Sequence, residues 1–185
     1  MTRLSYAIVT TVAVSLLGVA SIASFAPRLI WNASASTPVG FYTIGEPGPV
    51  AVTDLVAVDA PEPLATFLSD GGYLPRGVPL LKRVAALPGQ RVCRTGLAIT
   101  VDGVPMGDAL DRDRRGRPLP IWQGCRSVEN GELFLMNWQV RDSLDGRYFG
   151  PLPATAVIGR ATPLYTDEDG DGRFVWRADA VTARP

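Results

Sequence analysis

The sequence predicts a mainly β domain, built of short antiparallel strands, that follows one N-terminal transmembrane helix. Residues 7–26 carry no charge, and the 16 prolines and 19 glycines are scattered rather than clustered. Scattered turn formers are typical of many short strands joined by tight turns. At 185 residues, with 46% hydrophobic and 19% charged residues, the chain is long enough for one compact domain and a modest appendage.

The uncharged segment over 7–26 has the sequence AIVTTVAVSLLGVASIASFA. At about 1.5 Å per residue, a helix of about 20 residues spans a hydrocarbon core of about 30 Å. The alternative is a cleaved secretory signal, because Ser24 and Ala26 form a small-x-small cleavage pattern. Pro27 follows that position and disfavours processing, because proline fixes φ and has no N–H. A buried core helix is disfavoured by the length of the segment, and we expect it to be retained as an anchor.

Charges around the anchor predict its orientation. The amino terminus and Arg3 precede it, whereas Arg28 follows it and is soon joined by acidic residues. Because positive charge favours the cytoplasmic side, we expect residues 1–6 in the cytoplasm and the folded domain over 27–185 in the periplasm. The chain is then a single-pass protein of the bacterial inner membrane.

Short apolar or aromatic runs predict the strands of this domain, at 39–44, 55–58, 97–101, 132–136, 157–165 and 173–177. Asp102-Gly103 after the third run is a strong hairpin signal. Beyond the anchor, only Pro63–Asp70 suggests a helix. The charged stretch within 107–117 is expected to be a solvated excursion from the sheet rather than a binding surface.

The two cysteines, Cys93 and Cys125, predict a disulfide if the domain lies in an oxidising compartment. A bridge that closes a loop of this size stabilises the fold by about 3–4 kcal/mol. The alternative is a pair of buried, reduced cysteines that only pack, and their spacing resembles no metal site.

We predict no metal site, no cofactor and no nucleic-acid partner. Asp167 to Gly172 begins like a calcium loop, but the twelfth position is Ala178, where such a loop needs a bidentate glutamate. A polar turn between two strands is the better interpretation. Lys+Arg and Asp+Glu balance at 18 each, so no net field attracts the protein to nucleic acid.

The chemistry of the chain is constrained by its lack of histidine. A serine nucleophile needs a neighbouring base, and here an amine must serve. Lys82 lies among apolar residues in a predicted buried strand, and burial can lower a lysine pKa of about 10.4 by up to 3–5 units. Taken alone, such a lysine is more often a snorkelling edge residue, and Ser36 in Ser-Thr-Pro is ordinary turn chemistry.

Together these segments resemble the type I signal peptidases, and most closely the TraF-type peptidases of conjugative transfer. The serine segment carries the pattern Asn32, Ser36, Pro38, Gly40 and Tyr42. A second segment has Lys-Arg-Val-x-x-x-Pro-Gly from position 82, and a third, over 141–151, is similar to the Ser-x-Asp-Ser-Arg-x-x-Gly box of the family. Met136-Asn137-Trp138 stands where Gly-Asp-Asn is common, and Gly146 replaces a serine.

The resemblance implies a role for each matching residue. Ser36 is the nucleophile and Lys82 the general base. The Ser34 hydroxyl is expected to join the Ser36 N–H in holding the oxyanion, and Ser143 to orient the Lys82 amine. The resemblance also implies structural support from the set Asp145, Arg147 and Arg83, the first two as an ion pair.

The sequence therefore predicts a membrane-anchored serine endopeptidase that removes leader peptides, with a pilin subunit of a conjugation or type IV secretion system as its substrate. Its partners would be the membrane, a prepilin or another leader-bearing protein, and other components of that system. Two alternatives stay open: a housekeeping signal peptidase I, and a catalytically silent β-rich scaffold of a secretion apparatus. Ser36 follows Ala26 by 10 residues, so a tether of at most about 33–36 Å holds it near the bilayer.

Overall fold

The structure is a computed structural model, and it describes residues 2–22 and 28–178. Helix α1 spans Arg3–Ile22. Within the described residues, no helix has both the length and the apolar character needed to cross a membrane. The predicted anchor over 7–26 extends beyond the described residues, and Ser24, Ala26 and Pro27 lie outside them. Retention of an anchor therefore stays a prediction.

The rest of the described chain is mainly antiparallel β-structure. Three short helical segments interrupt it: α2 (Leu64–Asp70), α3 (Gly146–Phe149) and a 3₁₀ turn (Ala154–Ala156). The strands are β1 (Leu29–Asn32), β2 (Val39–Ile44), β3 (Leu55–Val58), β4 (Leu80–Ala86), β5 (Arg91–Thr95), β6 (Ala98–Val101), β7 (Val104–Asp108), β8 (Gly124–Ser127), β9 (Glu132–Leu135), β10 (Leu152–Pro153), β11 (Val157–Asp167) and β12 (Val175–Trp176).

The larger sheet has the strand order β1-β2-β11-β3-β4-β9-β10, and β12 pairs with β11. The long strand β11 pairs with β2 through its second half and with β3 through its first half. This places β4 well inside the sheet, between β3 and β9. Val56, Val58, Val84 and Phe134 are almost fully buried around it. A lysine on β4 is therefore removed from water by its neighbours on both sides.

The smaller sheet has the order β7-β6-β5-β8. Its β6–β7 hairpin turns at Asp102 and Gly103, which both have positive φ, as a type I′ turn requires. Cys93 on β5 faces Cys125 on β8, and the structure contains the disulfide expected from the sequence. The bridge ties the edge strand β8 to the centre of this sheet.

Most predicted elements are confirmed, and several strands were missed. The predicted strands at 39–44 and 55–58 match β2 and β3, and the predicted helix matches α2. The strands β1, β5, β8 and β10 were not predicted. Strand β8 has the sequence GCRS and is exposed along its whole length, so it carries no apolar signal. The charged stretch within 107–117 does form an excursion between β7 and β8, with exposed arginines at 112, 114 and 115.

Candidate active site

The residue expected to be the nucleophile lies in the loop of the β1–β2 hairpin, at residues 33–38. The Asn32 side chain closes this loop, because its Nδ2 donates to the carbonyl oxygens of Ser34 at 2.8 Å and Pro38 at 3.0 Å. Its Oδ1 accepts from the backbone N–H and the hydroxyl of Ser34, at 3.1 and 2.9 Å. An asparagine supplies the donors and the acceptor that this arrangement needs.

Gly40 and Tyr42 fix the strand that follows the loop. A Cβ on Gly40, whose φ is +149°, would lie 2.2 Å from the carbonyl oxygen of Tyr165 on β11. Glycine therefore allows β2 to approach β11 this closely. The buried Tyr42 hydroxyl donates to Pro38 O at 2.7 Å, and burial raises the pKa of Tyr42 to about 12, so it stays a neutral donor.

Ser34 and Ser36 are in direct contact within the loop. Their hydroxyl oxygens are 2.9 Å apart. Because the single Ser34 proton is donated to Asn32 Oδ1, the Ser36 hydroxyl donates to Ser34 in this arrangement. The Ser36 backbone N–H makes no hydrogen bond to the residues that the structure describes, so it is free to face a substrate oxygen.

Lys82 lies on β4 and is only 4% exposed. Burial in this sheet, opposed in part by the Asp145 carboxylate, lowers the pKa of its amine from 10.5 to about 8. The Lys82 Nζ donates to the Ser143 hydroxyl at 2.9 Å. The structure thus holds a desolvated amine in a fixed direction, and an appreciable fraction of it is neutral near physiological pH.

A buried ion pair supports the segment that carries Ser143. Asp145 and Arg147 are 2.8 Å apart, with side chains 0% and 1% exposed. Arg147 also donates to the carbonyl oxygens of Val140 at 2.7 Å and Arg141 at 3.0 Å. Asp145 further accepts from the Arg147 backbone N–H at the start of α3. The pair therefore shapes the turn on which Ser143 stands.

Ser36 lines two cavities. One, of about 310 Å³, also contains Lys82 and Ser143 and has an apolar wall of Leu68, Leu74, Leu80 and Leu144. The other, of about 330 Å³, is bordered by Arg83, Asn137, Trp138, Asp167, Glu168 and Asp169. A peptide that presents a carbonyl carbon to Ser36 has space for side chains on both sides of the reacting bond.

The structure brings Ser34, Ser36, Lys82 and Ser143 into the wall of one cavity. It does not join Ser36 to Lys82 by a hydrogen bond; Ser36 pairs with Ser34, and Lys82 pairs with Ser143. Catalytic hydrogen bonds are often loose without substrate and tighten in the complex.

Arg83, expected to give structural support, lies at the border of the second cavity. Its guanidinium donates to Thr53 O at 3.0 Å and forms part of the second cavity's wall. Gly146 is explained by packing, because a Cβ there would lie 2.6 Å from Phe134 Cε2 and 2.8 Å from Leu135 O. A serine at this position would therefore not fit beside Phe134.

Two features of the site were missed in the sequence. Lys82 is the only lysine of the chain, so every other basic side chain is an arginine, and the sequence alone contains this signal. Asn137, noted only as a departure from the family box, donates to Ser36 O at 2.8 Å. No local pattern could have revealed that contact, because 101 residues separate the two positions.

The loop that begins like a calcium site is a turn. The Asp167 carboxylate accepts from the backbone N–H groups of Asp171 at 3.1 Å and Gly172 at 2.9 Å. These bonds turn the chain from β11 into β12. In the part of the chain that the structure describes, no three metal-ligating side chains are grouped.

Comparisons with known proteins add an independent finding. A family model described as Signal peptidase, peptidase S26 matches residues 1–166. The chain is 38% identical over 147 residues to the conjugal transfer protein TraF of Agrobacterium tumefaciens (strain 15955), covering 73% of this chain and 81% of that protein. It is 32% identical over 143 residues to the plasmid transfer protein TraF of Escherichia coli, covering 75% and 76%. A solved signal peptidase I from Enterococcus faecalis V583 aligns with a TM-score of 0.37 and 19% identity, over 61% of this chain and 97% of that chain.

Proposed function

This chain belongs to the signal peptidase S26 family, and we propose that it cleaves leader peptides with a dyad of Ser36 and Lys82. The observation that carries the proposal is the cavity shared by these two residues. In it, a buried amine with a pKa of about 8 is held by Ser143, close to a serine on a rigid hairpin loop. A lysine that serves only structure would gain nothing from being desolvated there.

In the proposed reaction, Ser36 Oγ bonds to the scissile carbonyl carbon while its proton passes to the neutral Lys82 Nζ. The C–N bond then breaks, and Lys82 returns the proton to the leaving amine. Water attacks the resulting ester, with Lys82 again as the base, and Ser36 recovers its proton when the acid departs. The Ser36 hydroxyl must turn from Ser34 towards Lys82 before the first step.

The oxyanion that forms in both steps needs hydrogen-bond donors. The Ser36 N–H makes no other hydrogen bond within the described residues, and the Ser34 hydroxyl lies beside it. The Ser34 hydroxyl can donate to the oxyanion once it breaks its hydrogen bond to Asn32 Oδ1. A pair of fixed donors of this kind can stabilise the transition state by several kcal/mol.

The proposed substrate is a pilin precursor of a conjugation or type IV secretion system. The TraF relatives, which are named for conjugal or plasmid transfer, support this role. Other components of that system are proposed partners. A housekeeping role in bulk secretion is less well supported, because these two relatives, each more than 30% identical to this chain, are both named for conjugal or plasmid transfer.

The proposed location is the bacterial inner membrane, with α1 and the residues that follow it as a single anchor and the catalytic domain in the periplasm. An aromatic face, formed by Trp31, Phe41, Tyr165, Phe174 and Trp176, supports a site at the membrane surface. Trp31 and Phe41 have ring centroids 4.7 Å apart on the strands that flank the Ser36 loop, and Trp31 is 47% exposed. Exposed aromatic side chains favour the headgroup region of a bilayer.

Co-expression with a candidate prepilin tests the proposal, with the mature product identified by mass spectrometry. We expect Ser36→Ala and Lys82→Met to abolish processing. Ser127→Ala, which removes an exposed hydroxyl on β8, is the matched control and should process like the parent. If the two dyad variants process as well as the parent, the dyad assignment is wrong. Processing of bulk secretory precursors would favour the housekeeping role, and absence of proteolysis in the parent would favour the scaffold.

A further inference from the structure

We infer that Asn137 is a positioning residue that holds the Ser36 loop at a fixed distance from Lys82. The inference rests on the proposed function, because it concerns the same dyad. Asn137 lies two residues beyond the end of β9 and is only 4% exposed. It is therefore a buried carboxamide whose hydrogen bonds lie inside the protein.

The side chain of Asn137 bonds to the backbone of Ser36 and to the backbone of the two residues that flank Lys82. Its Nδ2 donates to Ser36 O at 2.8 Å and to Leu81 O at 3.1 Å. Its Oδ1 accepts from the backbone N–H of Arg83 at 3.0 Å. Leu81 and Arg83 are the residues on either side of Lys82, so one carboxamide binds the strand on both sides of the base and the carbonyl of the nucleophile.

The sheet explains why a side chain is needed here. Strand β9 pairs with β4 up to Leu135, and Met136 N donates to Arg83 O at 2.9 Å. Beyond that point the backbone leaves β4, and the Asn137 side chain satisfies the next groups of the strand edge. It also extends the contact to the serine loop, which backbone pairing of β9 does not reach.

The backbone of Asn137 is fixed by the buried ion pair. Its N–H donates to Asp145 Oδ2 at 3.0 Å, and its carbonyl accepts from Arg147 Nη2 at 3.3 Å. The same ion pair shapes the turn that carries Ser143. Asn137 thus connects the serine loop, the lysine strand and the segment that orients the lysine amine.

Asparagine meets these demands without adding a charge. The amide has two N–H donors for Ser36 O and Leu81 O and one acceptor for Arg83 N. Aspartate keeps the acceptor but loses both donors, and adds a negative charge beside the strand that carries Lys82. Alanine removes all three bonds, and a displacement of the nucleophile by about 1 Å can reduce the rate about 100-fold.

The test measures cleavage of a synthetic peptide that spans the prepilin cleavage site, with full-length enzyme. We expect Asn137→Ala to lower kcat by about 10- to 100-fold, with KM changed less than about twofold. The labelled variant gives a single lysine resonance, because Lys82 is the only lysine. Its titration midpoint should stay near pH 8, because β4 and Ser143 still surround the amine.

Tyr148→Phe is the matched control, because at a buried tyrosine it removes the hydroxyl that accepts a hydrogen bond of 2.9 Å from the Leu110 N–H, and Tyr148 has no hydrogen bond to Ser36 or Lys82. It should keep the parental kcat. The inference is overturned if Asn137→Ala loses no more kcat than this control, or if its Lys82 pKa returns to the ordinary value, which indicates general loosening. If Ser36→Ala cleaves like the parent, the proposed function fails and the inference falls with it.

Asn137→Asp keeps the inference testable if Asn137→Ala does not fold, since the side chain has the same size. The new carboxylate raises the pKa of Lys82, so the pH profile should move upward. At pH values above this raised midpoint, kcat should still be at least about 10-fold below that of the parent, because both donors are missing. Recovery of the parental kcat at high pH would overturn the inference.

Discussion

Lys82 is the residue on which the proposed chemistry depends. A chain without histidine must use another base, and its only lysine lies on an interior strand of the larger sheet. Burial lowers the pKa of this amine to about 8, and the Ser143 hydroxyl is its hydrogen-bond acceptor. The pKa of this base is close to the operating pH, and general base catalysis is most efficient when the two match.

The burial of Lys82 should also be visible in stability. Below pH 8 the amine is protonated in both the folded and the unfolded state, and the cost of desolvating the ammonium is fully present. Between pH 8 and 10.5 the folded state releases its proton first. The free energy of unfolding of the parent should therefore rise by about 3 kcal/mol relative to that of Lys82→Met as the pH increases. Urea unfolding across this pH range measures the difference. If the difference in unfolding free energy between the two proteins does not change with pH, folding does not lower the pKa of Lys82.

Gly40 gives a second prediction at the scale of one residue. A methyl group there would lie 2.2 Å from the Tyr165 carbonyl oxygen, whereas a Cβ on Gly48 would meet nothing within 4 Å. Gly40→Ala should therefore destabilise the fold by more than about 1 kcal/mol, since β2 must move away from β11. The exposed Gly48→Ala is the matched control and should stay within about 0.5 kcal/mol of the parent. Equal melting temperatures for the two variants would show that the close approach is not required.

Sequence reasoning reached the residues of the site by two routes, and each had a limit. The need for an amine base followed from the missing histidine, and the positions of Ser34, Ser36 and Ser143 followed from the family resemblance. Asn137 was not accessible by either route, because its role comes from tertiary hydrogen bonds to the Ser36 loop and to β4. Local patterns carry no information on such contacts.

At the scale of elements, the best predictions were for strands with strong apolar content. Strands β2 and β3 were predicted with the bounds that the structure has, and the hairpin at Asp102-Gly103 followed from its turn residues. Strands such as β8 are held by pairing with β5 rather than by an apolar face, so their sequences resemble loops. The alternation on β1 and β2 buries Ile30 and Tyr42 and exposes Trp31 and Phe41.

The disulfide belongs to the smaller sheet and should affect stability without affecting catalysis. Cys93 and Cys125 are separated by 32 residues, and removing a bridge of this span costs about 3–4 kcal/mol. No described residue of β5, β6, β7 or β8 lines the two cavities at Ser36. We therefore expect the double variant Cys93→Ser/Cys125→Ser to unfold at lower urea concentration and to keep the parental kcat below its transition. A loss of kcat in the folded variant would show that the smaller sheet shapes the site.

At the scale of the whole molecule, the two sheets meet at the segment that supports the base. Arg94 on β5 donates to the carbonyl oxygen of Arg147 at 2.6 Å, and Arg147 pairs with Asp145 beneath Ser143. The larger sheet supplies both members of the proposed dyad, and the β1–β2 hairpin presents Ser36 between exposed aromatic side chains. The low pKa of Lys82 is thus a property of the assembled fold, since β3, β4, β9 and the ion pair all surround the amine.

Direct titration of Lys82 in the full chain tests the central claim most directly. Because the chain contains one lysine, labelling with ¹³Cε-lysine gives a single side-chain resonance that can be followed against pH by NMR. We predict a midpoint near 8 in the folded protein, a return to the ordinary value of 10.5 in urea, and a rise of kcat/KM through the same midpoint as the pH increases. A folded-state midpoint near 10.5 would contradict the claim that Lys82 is a desolvated general base.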